Sequence, residues 1–123
     1  MKSHGNITLT WKGDILFVDA FGPFNEEGVI SAGRQYLDAI HKRNGAKFSV
    51  IETWDEQSLS SPAGMQEAGK LWELLLAHNC QSIAIVVRNS LQRGLVAKML
   101  PSIGTIFDTT LEAEDWLVSR NDK

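Results

Sequence analysis

The sequence lacks several features on which whole classes of protein depend. It contains one cysteine, Cys80, among 123 residues, so no internal disulfide framework can form. The apolar stretch 83–87 ends at Arg88, and no run approaches the roughly 20 apolar residues that a membrane-spanning helix needs. Residues 1–5 are too short and polar a stretch to begin a signal peptide. We therefore expect a protein of a reducing, cytoplasmic compartment with no integral membrane segment.

An excess of charge of one sign is also missing. The chain carries 12 basic and 15 acidic residues, for a net charge of -3, and the two kinds are mixed along its length. Proteins that bind polyanions generally concentrate lysine and arginine in a patch or stripe. We therefore expect no binding to nucleic acid.

Catalytic and metal-binding motifs are absent as well. The three histidines stand at positions 4, 41 and 78, and none has a second ligand at a metal-binding spacing. Cys80 has no neighbouring thiol or activating base, and the sequence contains no glycine-rich phosphate loop or nucleophile elbow. We expect no metal, no cofactor and no enzymatic activity. The alternative is an enzyme in which Asp19, Glu52 and Asp55 meet in an acidic cleft, because clustered carboxylates are suited to acid–base chemistry.

What the sequence does contain is enough apolar material for one core. With 43% hydrophobic residues over 123 positions, we expect a single domain spanning residues 1–123. The spacing of apolar residues between turn and capping residues predicts four helices and five strands. They are a hairpin over 7–21, helices over 26–41, 62–77 and 90–100, strands over 47–54, 82–87 and 103–107, and a last helix that follows Thr109.

This order, β-β-α-β-α-β-α-β-α, predicts an α/β fold. Alternation of strands and helices after an opening hairpin implies right-handed crossovers and a mostly parallel sheet covered by helices. We expect residues 82–87 to form the central strand and the first strand to lie at an edge, where it could pair with a second copy in a homodimer. Helical spacing places Leu91 and Leu111 on the inward faces of the last two helices.

The loop 55–61 is the best candidate binding site. It leads into a helix for which Ser61 is a favourable N-cap and Pro62 a favourable first residue, so free N–H groups would face outward there. Acidic residues nearby would repel an anion, which favours a protein partner over phosphate. Simple capping by these serines is the alternative interpretation. The candidate binding residues are Asp55, Ser58, Ser60, Ser61, Ala63 and Gly64.

Large aromatic residues provide a second candidate site. If they lie between the sheet and the helices, they could line a pocket for a small apolar ligand, although core packing is the commoner role of such residues. The four candidates are Phe17, Trp54, Trp72 and Trp116.

Several stretches also resemble a known family. They are the strand–serine loop–helix unit, the segment FGPFNEEG at 21–28, the pair Phe107-Asp108 and the segment EAEDWL at 112–117. Together with the element order, they resemble the SpoIIAA-like branch of STAS-type domains. The resemblance implies a STAS-like fold and a stand-alone, cytosolic, bacterial protein that binds an apolar molecule or a protein partner.

In related anti-sigma-factor antagonists a kinase phosphorylates a serine of an Asp-Ser-Ser-Gly segment, and the resemblance places Ser61 at that serine. Leu59 stands where the aspartate would be, and Pro62 where the glycine would be. We therefore expect a non-catalytic binding or regulatory module. A phosphorylation-switched regulator is the first alternative, and the acidic-cleft enzyme is the second.

Overall fold

The predicted order of elements is confirmed. The structure, a computed structural model, describes residues 2–121, and for the last of these only the backbone. The strands are β1 (Asn6–Lys12), β2 (Ile15–Phe21), β3 (Phe48–Trp54), β4 (Cys80–Val86) and β5 (Gly104–Phe107). The helices are α1 (Glu26–His41), α2 (Pro62–Ala77), α3 (Ser90–Ala97) and α4 (Thr110–Asn121).

Capping residues begin the helices where the sequence predicts. The Asn25 side chain accepts a hydrogen bond from the Gly28 N–H at 2.8 Å, and Ser61 accepts one from the Gly64 N–H at 3.1 Å. At α4, Thr109 accepts from the Glu112 N–H at 3.2 Å and donates to its carboxylate at 2.9 Å, which forms a capping box. These side chains satisfy N–H groups that have no partner within the helix.

The five strands form one sheet in the order β1-β2-β3-β4-β5. β1 pairs antiparallel with β2, and the remaining neighbours are parallel. The middle strand is therefore β3 and not the predicted 82–87 strand, although β4 is also interior. β1 lies at an edge, as predicted.

The two faces of the sheet are covered unequally. Residues 16, 18 and 20 of β2 point to the face under α1, α2 and α3, which we call the first face; residues 15 and 17 point to the second face, under α4. Each parallel crossover steps in the same direction along the sheet, so right-handed connections place α1, α2 and α3 on one side. The chain crosses to the second face only after the last strand.

The inward faces of the last two helices differ from the sequence expectation. Leu91 is 60% exposed and Leu111 is 69% exposed, whereas Gln92, Val96 and Leu117 are fully buried. α3 is thus rotated by about one position, whereas in α4 Ala113 and Leu117 are fully buried and only Leu111 of the apolar stripe faces outward. Gln92 explains the rotation of α3: its side chain accepts from the Arg88 N–H and donates to the Asp55 carbonyl, both at 2.7 Å. A buried polar anchor turns the neighbouring leucine outward.

Gly28 shows why a small residue is needed in the first turn of α1. It is buried, and a Cβ atom built on it would overlap the carbonyl oxygen of His4. The N-terminal segment therefore packs across this helix start, and any larger residue would displace it.

No helix within residues 2–121 is long and apolar enough to cross a membrane.

Candidate functional site

A pocket opens on the first face between the sheet, α1 and α2. Most of its wall is apolar, and its free volume is about 60 Å³. One charged side chain, Glu52, lines it together with three residues that surround that carboxylate. We call this the Glu52 pocket, and its wall includes Phe24, Tyr36, Trp54, Met65, Leu71 and Trp72.

Three neutral donors surround the carboxylate of Glu52. The Tyr36 hydroxyl donates to Oε1 at 2.6 Å, and the Trp72 indole N–H donates to the same oxygen at 3.2 Å. The Trp54 indole N–H donates to Oε2 at 2.7 Å. Glu52 is 7% exposed, and neither ion pair found in the described part of the chain includes it.

The pleat of β3 explains this arrangement. Side chains two positions apart lie on one face of a strand, so Glu52 and Trp54 both point to the first face together with Val50. α1 brings Tyr36 over the strand, and α2 brings Trp72 from the next crossover. A carboxylate at an inward position of a buried strand needs hydrogen-bond partners there, because burial removes most of its hydration.

The tyrosine acts as a donor in this network. Burial raises the pKa of Tyr36 well above its usual value, and the nearby Glu52 carboxylate raises it further. The phenol therefore keeps its proton at neutral pH. The indole N–H groups of Trp54 and Trp72 can only donate. Glu52 is therefore the acceptor in all three hydrogen bonds.

Ser60 adds a polar group at the pocket wall. Its hydroxyl oxygen is buried and has no hydrogen-bond partner within residues 2–121. The oxygen packs against the Cα of Gly64, where any Cβ would overlap it. Ser60 is therefore held against the start of α2 and is not a freely presented loop residue.

The remainder of the serine loop is tied to the core. Ser58 is buried, and its hydroxyl lies 2.7 Å from Asp55 Oδ1 and 3.0 Å from the Ala20 carbonyl. Asp55 Oδ1 also accepts from the N–H groups of Gly22 and Gln57. Partial burial raises the pKa of Asp55, but the bonds from Ser58 and these N–H groups outweigh it and hold the pKa below its usual value. Asp55 thus organises the loop.

Of the predicted loop residues, only part of the α2 start faces solvent. Ser61 and Ala63 are exposed, whereas Gly64 is buried and its N–H is occupied by the Ser61 hydroxyl. The structure therefore divides the predicted set in two. Ser58 is buried, Asp55 and Ser60 are half-buried, and Ser61 and Ala63 are exposed.

The four aromatic candidates do not form one pocket. Trp54 and Trp72 line the Glu52 pocket on the first face. Phe17 and Trp116 pack on the second face around a separate cluster under α4. This corrects the predicted grouping, and the physical reason is strand alternation, because Phe17 lies at an odd position of β2 and points away from Trp54.

The acidic cleft is not assembled either. Asp19 is exposed on the second face, where its nearest polar contact is Thr8 at 3.5 Å. Glu52 is buried on the first face, and Asp55 is bonded within its own loop. The three carboxylates are thus separated by the sheet and by the turn after β3.

The remaining nucleophiles and ligands are isolated. The rings of His41 and His78 lie with centroids 5.3 Å apart, a proximity that their sequence spacing does not reveal. Within the described residues, however, no group of three metal-binding side chains occurs. Burial raises the pKa of the Cys80 thiol to about 12, so it is protonated at neutral pH.

Tyr36 and Ser60 are the members of the site that sequence reasoning missed or misplaced. Tyr36 appears in the sequence only as part of an apolar stripe. A tyrosine on the inward stripe of a helix needs a partner for its hydroxyl, and an acid at an inward strand position needs donors. Pairing these two requirements would have connected Tyr36 with Glu52.

Comparison with known proteins supports the fold. No family model matches the chain, and no curated protein matches it. Among solved structures, an uncharacterized DUF3478-family protein from Shewanella loihica PV-4 with a SpoIIAA-like fold matches with a TM-score of 0.63. The match covers 95% of this chain and 96% of that one at 18% sequence identity. The chain therefore has a SpoIIAA-like α/β fold, as the resemblance implied.

Proposed function

We propose that this protein is a non-catalytic binding module and that the Glu52 pocket receives the small end of a mainly apolar ligand. The observation that carries this proposal is an apolar pocket between the sheet, α1 and α2 that has one buried carboxylate in its wall. Ligand pockets in proteins commonly combine such a wall with a few placed polar groups.

Stability alone does not explain the polar groups at the pocket, because burying them is unfavourable for folding. Moving a carboxylate out of water is expensive even when hydrogen bonds compensate part of the cost, and apolar replacements of similar shape are often as stable. Ser60 adds a buried hydroxyl without a partner in residues 2–121. A bound ligand supplies a reason for the buried carboxylate, because a ligand donor can use acceptor capacity that the protein leaves free.

The size of the pocket limits what it can hold. Its free volume of about 60 Å³ is well below the roughly 300–1,000 Å³ typical of drug-sized sites. A ligand would therefore insert one small group, and its remainder would lie over the opening between α1 and α2.

Filling the pocket provides a direct test. Ala68 and Ala39 are both half-buried helical alanines packed against the same core, but only Ala68 lines the pocket. With 1-butanol as a neutral probe, we expect shifts of the Trp54 and Trp72 indole N–H signals in NMR spectra. Ala68→Leu should weaken these shifts, and Ala39→Leu should leave them unchanged.

Two results decide the matter. Native mass spectrometry of freshly purified protein should detect a small molecule that Ala68→Leu loses and Ala39→Leu keeps. If the butanol-induced shifts are equal in both variants, the probe does not enter the Glu52 pocket and the proposal fails.

A protein-docking switch is the second candidate, and exposure of Ser61 favours it. Ser61 is the one serine of the loop 55–61 that is exposed, and it caps α2. Phosphorylation would add roughly 1.5 to 2 negative charges at a helix N-terminus, which stabilises the helix start and changes the surface that a partner meets. A Ser61→Asp variant that captures the same lysate proteins as wild type would count against the switch.

A further inference from the structure

The hydrogen bonds of Glu52 leave one acceptor position unused. A carboxylate offers about four lone-pair sites on its two oxygens. Tyr36 and Trp72 occupy two sites on Oε1, and Trp54 occupies one on Oε2. The fourth site has no donor within residues 2–121, and Glu52 is part of the pocket wall.

The charge of this group is also unbalanced. Its three partners are a phenol and two indoles, none of which carries a positive charge. The two ion pairs found within residues 2–121 join Lys70 to Glu67 and Arg93 to Asp108, so neither supplies a cation to Glu52. Buried charges in proteins are normally paired with an opposite charge.

The walls of the pocket suit a cation in a second way. Phe24, Tyr36, Trp54 and Trp72 all line it, and aromatic rings attract ammonium groups through their negatively polarised faces. The remaining wall, which includes Met65 and Leu71, is apolar and suits a short hydrocarbon chain.

We propose that the Glu52 pocket binds a small organic ammonium group, whose N–H donates to the free acceptor position of Glu52 and whose hydrocarbon part contacts the apolar wall. This inference rests on the proposed function and specifies the ligand class. The ammonium supplies the positive charge that no side chain provides, within a volume that admits only a small head group.

Three probes of similar size separate charge from apolar contact. Butylammonium, 1-butanol and propionate have the same number of heavy atoms and carry a positive, zero and negative charge at pH 7. Binding is measured by titration of the indole N–H signals of Trp54 and Trp72. Trp11 on β1 and Trp116 on the second face are internal controls, because neither lines the pocket.

We expect butylammonium to bind about tenfold more tightly than 1-butanol, which is the effect of a desolvated cation–π contact with a charge-assisted hydrogen bond. Propionate should not bind. Only Trp54 and Trp72 signals should shift. This comparison uses the unmodified protein, so it does not depend on the folding of any variant.

Two variants test the role of the carboxylate. Glu52→Gln removes the charge while keeping a similar shape, and it should abolish the preference for butylammonium while 1-butanol still binds. Tyr36→Phe removes one donor but keeps the charge, and it should retain the preference.

The outcomes distinguish this inference from the proposed function. Equal or tighter binding of 1-butanol, with shifts at Trp54 and Trp72, would overturn the ammonium proposal and leave the binding pocket in place. An unchanged butylammonium preference in Glu52→Gln would overturn it as well. If no probe shifts either signal, both the pocket and its ligand class are refuted.

Discussion

The two faces of the sheet are built from alternate residues of the same strands. One face nevertheless buries an acidic side chain, whereas the other leaves one exposed to solvent. On the first face Glu52 is 7% exposed and accepts bonds from three neutral groups. On the second face Asp19 is exposed and only a 3.5 Å contact to Thr8 is near it. The difference follows from the number of helices that cover each face.

This contrast indicates where a binding site can form. Under α1, α2 and α3 the first face encloses a carboxylate away from water, so its interactions are strong and specific. Under α4 alone the second face leaves its acid in solvent, where a charge is well hydrated and interacts weakly. A site that depends on a buried charge is therefore expected on the first face.

Replacing a tryptophan on each face should give the largest contrast in stability. Trp72 is 1% exposed, so Trp72→Ala should lower the free energy of unfolding by about 3–5 kcal/mol through lost burial and a cavity. Trp116 is half-buried, and Trp116→Ala should cost about 1–2 kcal/mol because less apolar area is lost. Urea unfolding measures both; equal costs would contradict the unequal cover of the two faces.

Removing each acid tests the contrast in charge burial. Glu52→Ala leaves a buried phenol and two indoles without their acceptor, and we expect a loss of about 2–3 kcal/mol. Asp19→Ala removes an exposed side chain and should change stability by no more than about 0.5 kcal/mol. Thermal or urea unfolding of both variants provides the measurement. A neutral Glu52→Ala would mean that this network does not stabilise the fold.

The helix caps should behave alike on the two faces. Ser61 caps α2 above the first face, and Thr109 caps α4 above the second. Each replacement by alanine should cost about 0.5–2 kcal/mol, because a cap acts on the first turn of its own helix whatever the packing beyond it. A much larger cost for Ser61→Ala, measured by urea unfolding, would show that the loop 55–61 depends on this cap. Unchanged partner capture from lysate by Ser61→Ala would limit the serine to capping.

The smallest effect on stability is expected from lowering the pH, which protonates Asp55 in the loop beside the first face. The pKa of Asp55 is lower in the folded protein than its ordinary value near 3.8, so the unfolded chain takes up the proton first. The stabilisation is therefore complete above that value and is lost as the pH falls through the folded pKa. We expect Asp55→Asn to lower the free energy of unfolding slightly at neutral pH, where this contribution is complete, and the difference from wild type to shrink as the pH falls through the folded pKa of Asp55. An unchanged acid profile would contradict this role.

The prediction from sequence succeeded where the signal was local. The helices α1 and α2 have the predicted bounds, because Asn25, Ser61 and Pro62 act on adjacent N–H groups. The predicted inward position of Leu91 was wrong because the short helix α3 is rotated to bury its polar anchor Gln92, and in α4 the prediction was wrong for Leu111 in the first turn. The predicted pocket retained Trp54 and Trp72 but lost its two other aromatics to the second face.

The sequence by itself determined the element order and the SpoIIAA-like α/β fold, because caps, turns and apolar periodicity act over a few neighbouring residues. Only the tertiary structure decided that Glu52 would be enclosed by Tyr36, Trp54 and Trp72 while Asp19 stayed in solvent. In the sequence, Tyr36 of α1 lies 16 residues before Glu52, and Trp72 of α2 lies 20 residues after it. Their meeting depends on how two crossovers pack against one strand, which no local pattern specifies.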